Sequence, residues 1–328
     1  MDSRTAGRLG IPLSVIGLGT WQLGADWGDV SEDDATRVLE ASVESGVTFF
    51  DTADVYGDGR SERIIGNFLA RKPDAGVFVA TKMGRRGQLD PDEFTLDSFR
   101  AWVDRSRDNL RTDTLDLVQL HCPPTAVYDR DQVYDDLETL VDEGAIARYG
   151  VSVETVDEAL TAMEYPGLAS VQIILNAFRL KPIDHVLPMA RSLGVAVFAR
   201  VPLASGLLTG RYRADTTFAA NDHRSFNRHG EAFDVGETFS GVDFEAGVEA
   251  SREFAALAAE HGLEPSVAAL AWVAQLDGVT SVIPGARTPE QARANASAGS
   301  VPELPAAFTE AVRDLYDRYF RAAVHPRW

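Results

Sequence analysis

Basic side chains are scarce in this chain. Its 328 residues carry 31 Lys+Arg against 50 Asp+Glu, a formal charge of −19. Only three of the cations are lysines: Lys72, Lys82 and Lys181. A nucleic-acid binder needs a basic footprint to neutralise phosphates, so this balance argues against that class of partner. The acidic, lysine-poor composition fits a salt-adapted host or arginine-rich codon usage equally well, and neither bears on chemistry. Cysteine is nearly absent. Cys122 alone allows no internal disulfide and no multi-cysteine metal site, and the six histidines show no metal-ligand spacing. No apolar run reaches the ~18 residues of a membrane span. The opening MDSRTAGRLGIPLSVIGLG lacks the apolar core of a signal peptide. The expectation is a cytoplasmic protein without membrane or nucleic-acid partners. It shows no coiled-coil pattern or apolar strip, so a monomer or weak homo-oligomer is expected.

What is present is a rhythm. A hydrophobic content of 45% and a charged content of 25% are those of a globular chain with a sizeable core. Eight short apolar or β-branched runs recur along it: Val15–Leu18, Val47–Phe50, Val77–Ala80, Leu115–Leu120, Ala147–Val151, Val171–Leu175, Val195–Phe198 and Val279–Ile283. Amphipathic segments separate them. In 95–111, Leu96, Phe99, Val103 and Leu110 share one helical face. Capping signals mark boundaries at Ser31 with Asp34, at Gly46 and Gly144, and at Thr288-Pro289-Glu290-Gln291. Strand and helix alternating eight times favours parallel pairing with right-handed crossovers, closed as a (β/α)8 TIM barrel. A doubly wound open sheet is the alternative. No linker divides the chain, so residues 1–328 are expected to form one barrel domain. Residues 211–245, polar, aromatic and Gly-rich, break the rhythm after the seventh strand and are expected to be a substrate or cofactor loop.

In such a barrel the chemistry sits where strands end. The second run leads into Asp51-Thr52-Ala53-Asp54-Val55-Tyr56-Gly57, the third into Thr81-Lys82-Met83, the fourth into His121-Cys122. A carboxylate, a phenol, an ammonium and an imidazole therefore converge on one rim. A free phenol titrates near ~10. A nearby ammonium lowers that value, and a carboxylate behind the ammonium holds it charged and in place. Such a group can protonate an oxygen that is gaining charge. Trp102 and Trp272 fall within helical patterns and read as core, whereas Trp21 follows the first strand at the catalytic rim.

Gly17-Leu18-Gly19-Thr20-Trp21, Phe50-Asp51-Thr52-Ala53-Asp54-Val55-Tyr56-Gly57, Ser61-Glu62, Thr81-Lys82 and Leu120-His121 together resemble the aldo-keto reductases, in order and over about residues 8 to 300. The resemblance implies a catalytic tetrad of Asp51, Tyr56, Lys82 and His121, with Tyr56 the general acid. It implies NADPH-dependent reduction of an aldehyde or ketone to an alcohol, with NADH also possible. It makes Trp21 a substrate-pocket residue. Two further readings accompany it: an NAD(P)-dependent sugar or polyol dehydrogenase using the same tetrad, and a slow-turnover NADPH-binding redox-sensing subunit.

The glycine stretch at 17–24 has the wrong spacing for a Rossmann fingerprint. The phosphate site is instead expected beyond strands seven and eight. There the chain offers Pro202, Leu203, Ser205, Gly206, Leu208 and Gly210, then Gly285 and Arg287, with Gly19 and Thr20 nearby. Backbone N–H groups freed by glycine and a helix start at Pro289 suit a pyrophosphate, and Arg287 suits a 2′-phosphate. The resemblance adds Gln291 and Asn295 as adenine contacts. Two positions depart from the family pattern. Val153 stands where relatives carry an Asn that holds the nicotinamide amide, which passes that task to Gln172, Ser152 or Asn176. Arg200 stands where an aromatic ring stacks on the nicotinamide. A guanidinium plane can stack there too, less favourably on the oxidised, cationic ring.

Overall fold

In a computed structural model the structure describes residues 1–24, 30–87 and 89–328. All eight expected strands form, each displaced from its apolar run by no more than a few residues. They are β1 (Leu18–Gly19), β2 (Phe49–Asp51), β3 (Phe78–Met83), β4 (Leu117–His121), β5 (Tyr149–Ser152), β6 (Ser170–Ile174), β7 (Ala196–Arg200) and β8 (Ser281–Val282). They pair in sequence order, every pair parallel. The sheet then closes on itself. Ile16 bridges Val282 and Gly19 bridges Gly285, both parallel, with Gly17 N donating to Val282 O at 2.8 Å and Val282 N to Val15 O at 2.9 Å. The TIM barrel holds, and the open doubly wound sheet does not. Closure is close-packed at Gly19, where a Cβ would stand 2.9 Å from the Ile283 carbonyl oxygen.

Between the strands lie α1 (Glu32–Glu44), α2 (Arg60–Arg71), α3 (Leu96–Leu110), α4 (Asp131–Asp142), α5 (Val156–Met163) and α6 (Val186–Leu193). After β7 come α7 (Phe244–Glu260) and α8 (Pro265–Gln275), and after β8 α9 (Pro289–Ser297) and α10 (Ala306–Tyr319). The local signals act as expected. The Ser31 side chain accepts from Asp34 N, and Gly46 and Gly144 adopt φ of 86° and 71° just past their helices. Thr288 accepts from Gln291 N at 3.3 Å. A reciprocal capping box at Thr155 and Glu158 starts α5. Phe99, Val103 and Leu110 of α3 are buried, and so is Trp272 of α8. Among the described residues no helix is long and apolar enough to cross a membrane.

Two apolar layers hold the barrel. The larger lies between strands and helices. The smaller joins Phe49, Phe78, Leu117 and Ala196, all at strand starts, to Phe198, Ile283 and to Leu9 and Leu13. Leu13 belongs to a hairpin (Ser3–Thr5 with Pro12–Ser14), which therefore covers the end of the barrel opposite the catalytic rim. Phe198 is fully buried there, its ring 4.6 Å from that of Phe49. Replacing it with alanine leaves a cavity that a closed β-barrel cannot collapse. Phe198→Ala is expected to cost roughly 3–5 kcal/mol, read as a lower denaturant midpoint in equilibrium unfolding.

Candidate active site

The strand ends bring the four expected groups together. Asp51 closes β2, Lys82 lies one residue from the end of β3, and His121 closes β4. Tyr56 hangs from the turn between β2 and α2. Lys82 Nζ donates to Asp51 Oδ1 at 2.6 Å and to the Thr52 carbonyl at 2.8 Å, and reaches Tyr56 Oη at 3.3 Å. The rings of Tyr56 and His121 meet edge to face, centroids 6.0 Å apart. Trp21 stacks beside Tyr56 at 6.0 Å and 18°.

Residues behind the tetrad fix it. Gln172 Nε2 donates to Asp51 Oδ2 at 2.7 Å. Ser61 Oγ donates to Thr20 Oγ1 at 2.8 Å and Thr52 Oγ1 to Ser61 Oγ at 2.9 Å. Thr81 Oγ1 donates to Glu62 Oε1 at 2.6 Å. The Ser61-Glu62 pair thus ties the Tyr56 turn to β3.

Electrostatics correct one expectation. Burial would lower the Lys82 ammonium, but Asp51 and then Tyr56 carry it above its ordinary value. Burial raises the Tyr56 phenol more than Lys82 lowers it, so its net direction is up, not down. Tyr56 therefore keeps its proton at neutral pH. His121 is held well below the usual imidazole range by burial, with Arg85 and Lys82 pushing the same way. It is neutral, and its Nδ1 has no hydrogen bond among the described residues.

A cleft of about 340 Å³ opens over these groups. Of the expected residues, Asp51, Tyr56, His121, Trp21, Gly19, Thr20, Gln172, Arg200, Pro202, Leu203, Ser205, Gly206, Gly285, Arg287, Gln291 and Asn295 all line it. Lys82, which lies buried behind Tyr56, and Ser152, Leu208 and Gly210 are not on its wall. Ser152 is buried and accepts from the Cys122 thiol at 3.4 Å. Leu208 is core, and Gly210 ends the turn that follows β7. Asn176 is committed elsewhere: its amide donates to Val201 O at 2.9 Å and Ser240 Oγ at 2.7 Å, and its Oδ1 accepts from Phe178 N at 2.9 Å.

Arg200 lies on the cleft wall and is held there by an ion cluster. Its guanidinium donates to Val153 O at 3.0 Å and pairs with Glu154 Oε2 at 2.9 Å and Glu237 Oε1 at 3.7 Å. These in-plane contacts anchor the guanidinium from its edge. Arg85 joins the cluster through Glu237 Oε1 at 2.8 Å. Gln22, Tyr212, Ser266 and Glu237 also line the cleft and were missed. Arg85 and Glu154 were missed as well, although each stands two residues past a strand end, a position that marks the rim.

The cofactor side fits a dinucleotide phosphate. Gly206 lines the cleft with φ of 99°, and a Cβ there would meet the Tyr212 hydroxyl at 2.2 Å, so the position takes only glycine. Opposite it Thr288 caps α9, whose start offers its positive end to an anion. Arg287 stands beside that start. Gln291 Oε1 accepts from Arg287 N at 2.8 Å, and Asn295 Nδ2 donates to Gly285 O at 3.1 Å, so both helical residues shape the loop as well as lining the cleft.

The turn bearing Tyr56 holds a second buried acid. Asp54 is buried, and neither carboxylate oxygen has a hydrogen bond among the described residues. Burial, reinforced by the Glu62 charge, pushes it up to about 7. A carboxyl raised in the fold favours folding while protonated. That contribution is complete below its unfolded value and is lost as pH rises towards about 7. Asp54→Asn is expected to remove this loss. Its stability relative to the parent should rise between about pH 4 and about pH 8 by up to about 4 kcal/mol, measured by denaturant unfolding across pH.

Comparison with known proteins closes the description. The Aldo/keto reductase family profile matches residues 15–317. The chain is similar to the aldo-keto reductase YhdN of Bacillus subtilis, 29% identical over 301 residues that cover 90% of this chain and 87% of that one. Among solved structures it is similar to the glycerol dehydrogenase of Gluconobacter oxydans, with a TM-score of 0.79 and 32% identity over 97% of this chain and 96% of that one. An aldo/keto reductase from Klebsiella pneumoniae, solved with NADP and acetate, shares the fold at a TM-score of 0.72 and 22% identity over 96% of each chain.

Proposed function

The chain belongs to the aldo/keto reductase family, oxidoreductases acting on carbonyl and alcohol groups, and on that premise we propose that it reduces an aldehyde or ketone to an alcohol with NADPH. One observation carries the reading: Tyr56 Oη lies 3.3 Å from Lys82 Nζ, which is itself 2.6 Å from Asp51. This is a proton donor whose conjugate base has a cation waiting. The nicotinamide, when bound, supplies a hydride to the carbonyl carbon. Tyr56 gives its proton to the carbonyl oxygen as charge develops there. The phenolate left behind is stabilised by Lys82, which Asp51 keeps charged. Gln172 and the Thr52 carbonyl keep that relay in line. Neutral His121 orients the oxygen by hydrogen bonding and carries no charge that would compete for the proton. Trp21 walls the pocket.

Ser205, Gly206 and Gly285 would hold the pyrophosphate by backbone N–H groups, and Arg287 the 2′-phosphate, with Gln291 and Asn295 at the adenine. Residues 211–245, which supply Glu237 to the cleft, act as the substrate and cofactor loop of a one-domain enzyme. The acidic surface suits a cytoplasmic monomer or weak homo-oligomer without nucleic-acid partners. The reverse reaction, oxidation of a polyol by the same tetrad, is the second reading. The similarity to a glycerol dehydrogenase at 32% identity favours it.

Tyr56→Phe is expected to lower kcat for carbonyl reduction by about 10²–10⁴-fold while NADPH still quenches tryptophan fluorescence on binding. Full reductase activity in that variant would end the proposal. Arg287→Ala is expected to raise KM for NADPH by roughly 10–100-fold and leave that for NADH nearly unchanged, read in steady-state assays with both cofactors.

A further inference from the structure

We propose that Arg200 and Glu237, side by side on the cleft wall, select uncharged carbonyl compounds bearing hydroxyl groups and turn away those bearing a carboxylate. The proposal rests on the reductase reading and names the substrate class of the same site. The two residues come from distant places, the end of β7 and the turn Val235–Glu237, yet both face the cleft that holds Tyr56 and His121. Their charges are felt at the catalytic groups: Glu237 acts on both Tyr56 and His121, and Arg200 on His121.

Two further side chains, Arg85 and Glu154, hold the pair in place. Arg85 Nη2 lies 2.8 Å from Glu237 Oε1 and 3.6 Å from Glu154 Oε1. Arg200 Nη2 lies 2.9 Å from Glu154 Oε2, and its Nη1 3.7 Å from Glu237 Oε1. Signs alternate around the set, so each guanidinium already faces a carboxylate. The turn that carries Glu237 is itself pinned. Asp234 Oδ1 accepts from Gly236 N at 2.6 Å and from Trp328 Nε1 at 3.2 Å, and Glu237 O accepts from Ser205 Oγ at 3.3 Å. Against the opposing effect of burial, Arg85 and Arg200 hold the Glu237 carboxyl well below the usual range. These two cations favour its ionised form.

Three kinds of substrate meet this wall differently. A carboxylate approaches a buried carboxylate whose cations are already paired, a like-charge juxtaposition that costs several kcal/mol. An alkyl chain strips water from a charged pair and returns no hydrogen bond. A hydroxyl does both jobs, donating to Glu237 and accepting from Arg200.

The test uses three aldehydes of equal carbon number, butanal, erythrose and succinic semialdehyde, with NADPH, on the parent protein and on Glu237→Gln and Glu237→Ala. In the parent, kcat/KM is expected to favour erythrose over butanal by at least about tenfold, mainly through KM, with succinic semialdehyde poorest. Glu237→Gln keeps an acceptor and removes the charge. It should keep most of the erythrose preference and raise succinic semialdehyde relative to butanal by about tenfold or more. Glu237→Ala should bring erythrose and butanal within about threefold. Ratios on one enzyme cancel any general loss of activity or folding, and the parent panel needs no variant. Equal use of butanal and erythrose by the parent, or ratios that neither variant moves, overturns the inference and leaves the reductase intact. No NADPH oxidation with any of the three defeats the reductase reading and this inference with it.

Discussion

A lysine ammonium and an aspartate carboxylate lie 2.6 Å apart where β2 and β3 end, with side chains only 1% and 4% exposed. Taking both charges out of water is expensive, and an ion pair in such a place seldom stabilises a fold as well as apolar residues would. What it does here is constrain geometry. Each partner is over-determined: Asp51 by Lys82 and Gln172, Lys82 by Asp51, the Thr52 carbonyl and Tyr56. Parallel pairing sets adjacent strands in register, Asp51 beside Ala80 and Gly19 beside Asp51, so the backbone delivers the pair and the pair then fixes the phenol. The desolvation that makes the arrangement costly also strengthens each interaction within it.

The same rim carries a second set of charges with a different logic. Arg85, Glu154, Arg200 and Glu237 form alternating ion pairs, whereas Asp51 and Lys82 converge on one phenol. The separation shows in how burial acts. It pushes Glu154 up to about 8 against the pull of Arg200, while Glu237, held by both Arg85 and Arg200, goes the other way. Two carboxyl groups sharing two guanidiniums are thus shifted in opposite directions, and the one held low is the member that reaches the cleft. Cys122, wedged against this set at 3.6 Å from Arg200, is raised to about 12 by burial and by Glu154. It is a thiol that packs, as its lack of a partner cysteine implied.

The elements that the sequence made legible are those decided locally. A Ser or Thr before a helix, a glycine after one and a β-branched run between them need no distant partner, and the eight strands and the caps follow from them. The tetrad was legible because each member sits at or beside a strand end and the barrel rule places all strand ends together. Arg200 was half legible: its position on the rim followed from β7, but its orientation depends on Glu154 and Glu237, which lie 46 residues before it and 37 after it in the chain. Glu237 was not legible at all, because it sits in 211–245, where no period fixes a face. Tyr56 shows the same limit in energy. A nearby lysine foretold one direction for its proton affinity, and only the depth of burial, a property of the whole fold, reversed it.

Asn176 shows how a wrong expectation can expose a structural device. Its amide does not face the cleft; it holds the carbonyl of Val201 at 2.9 Å. Val201 has φ of 51°, and Ala204 and Ser205 follow at 46° and 53°, a left-handed conformation that a β-branched residue adopts only under constraint. Asn176 and Ala204 N, which donates to the same carbonyl at 3.0 Å, supply that constraint. The reversal turns the chain at the end of β7 so that Arg200 meets the ion cluster and Pro202, Leu203, Ser205 and Gly206 face the cleft. One strained turn therefore separates the surface suited to the substrate from the surface suited to the phosphates. The residue that maintains it touches neither.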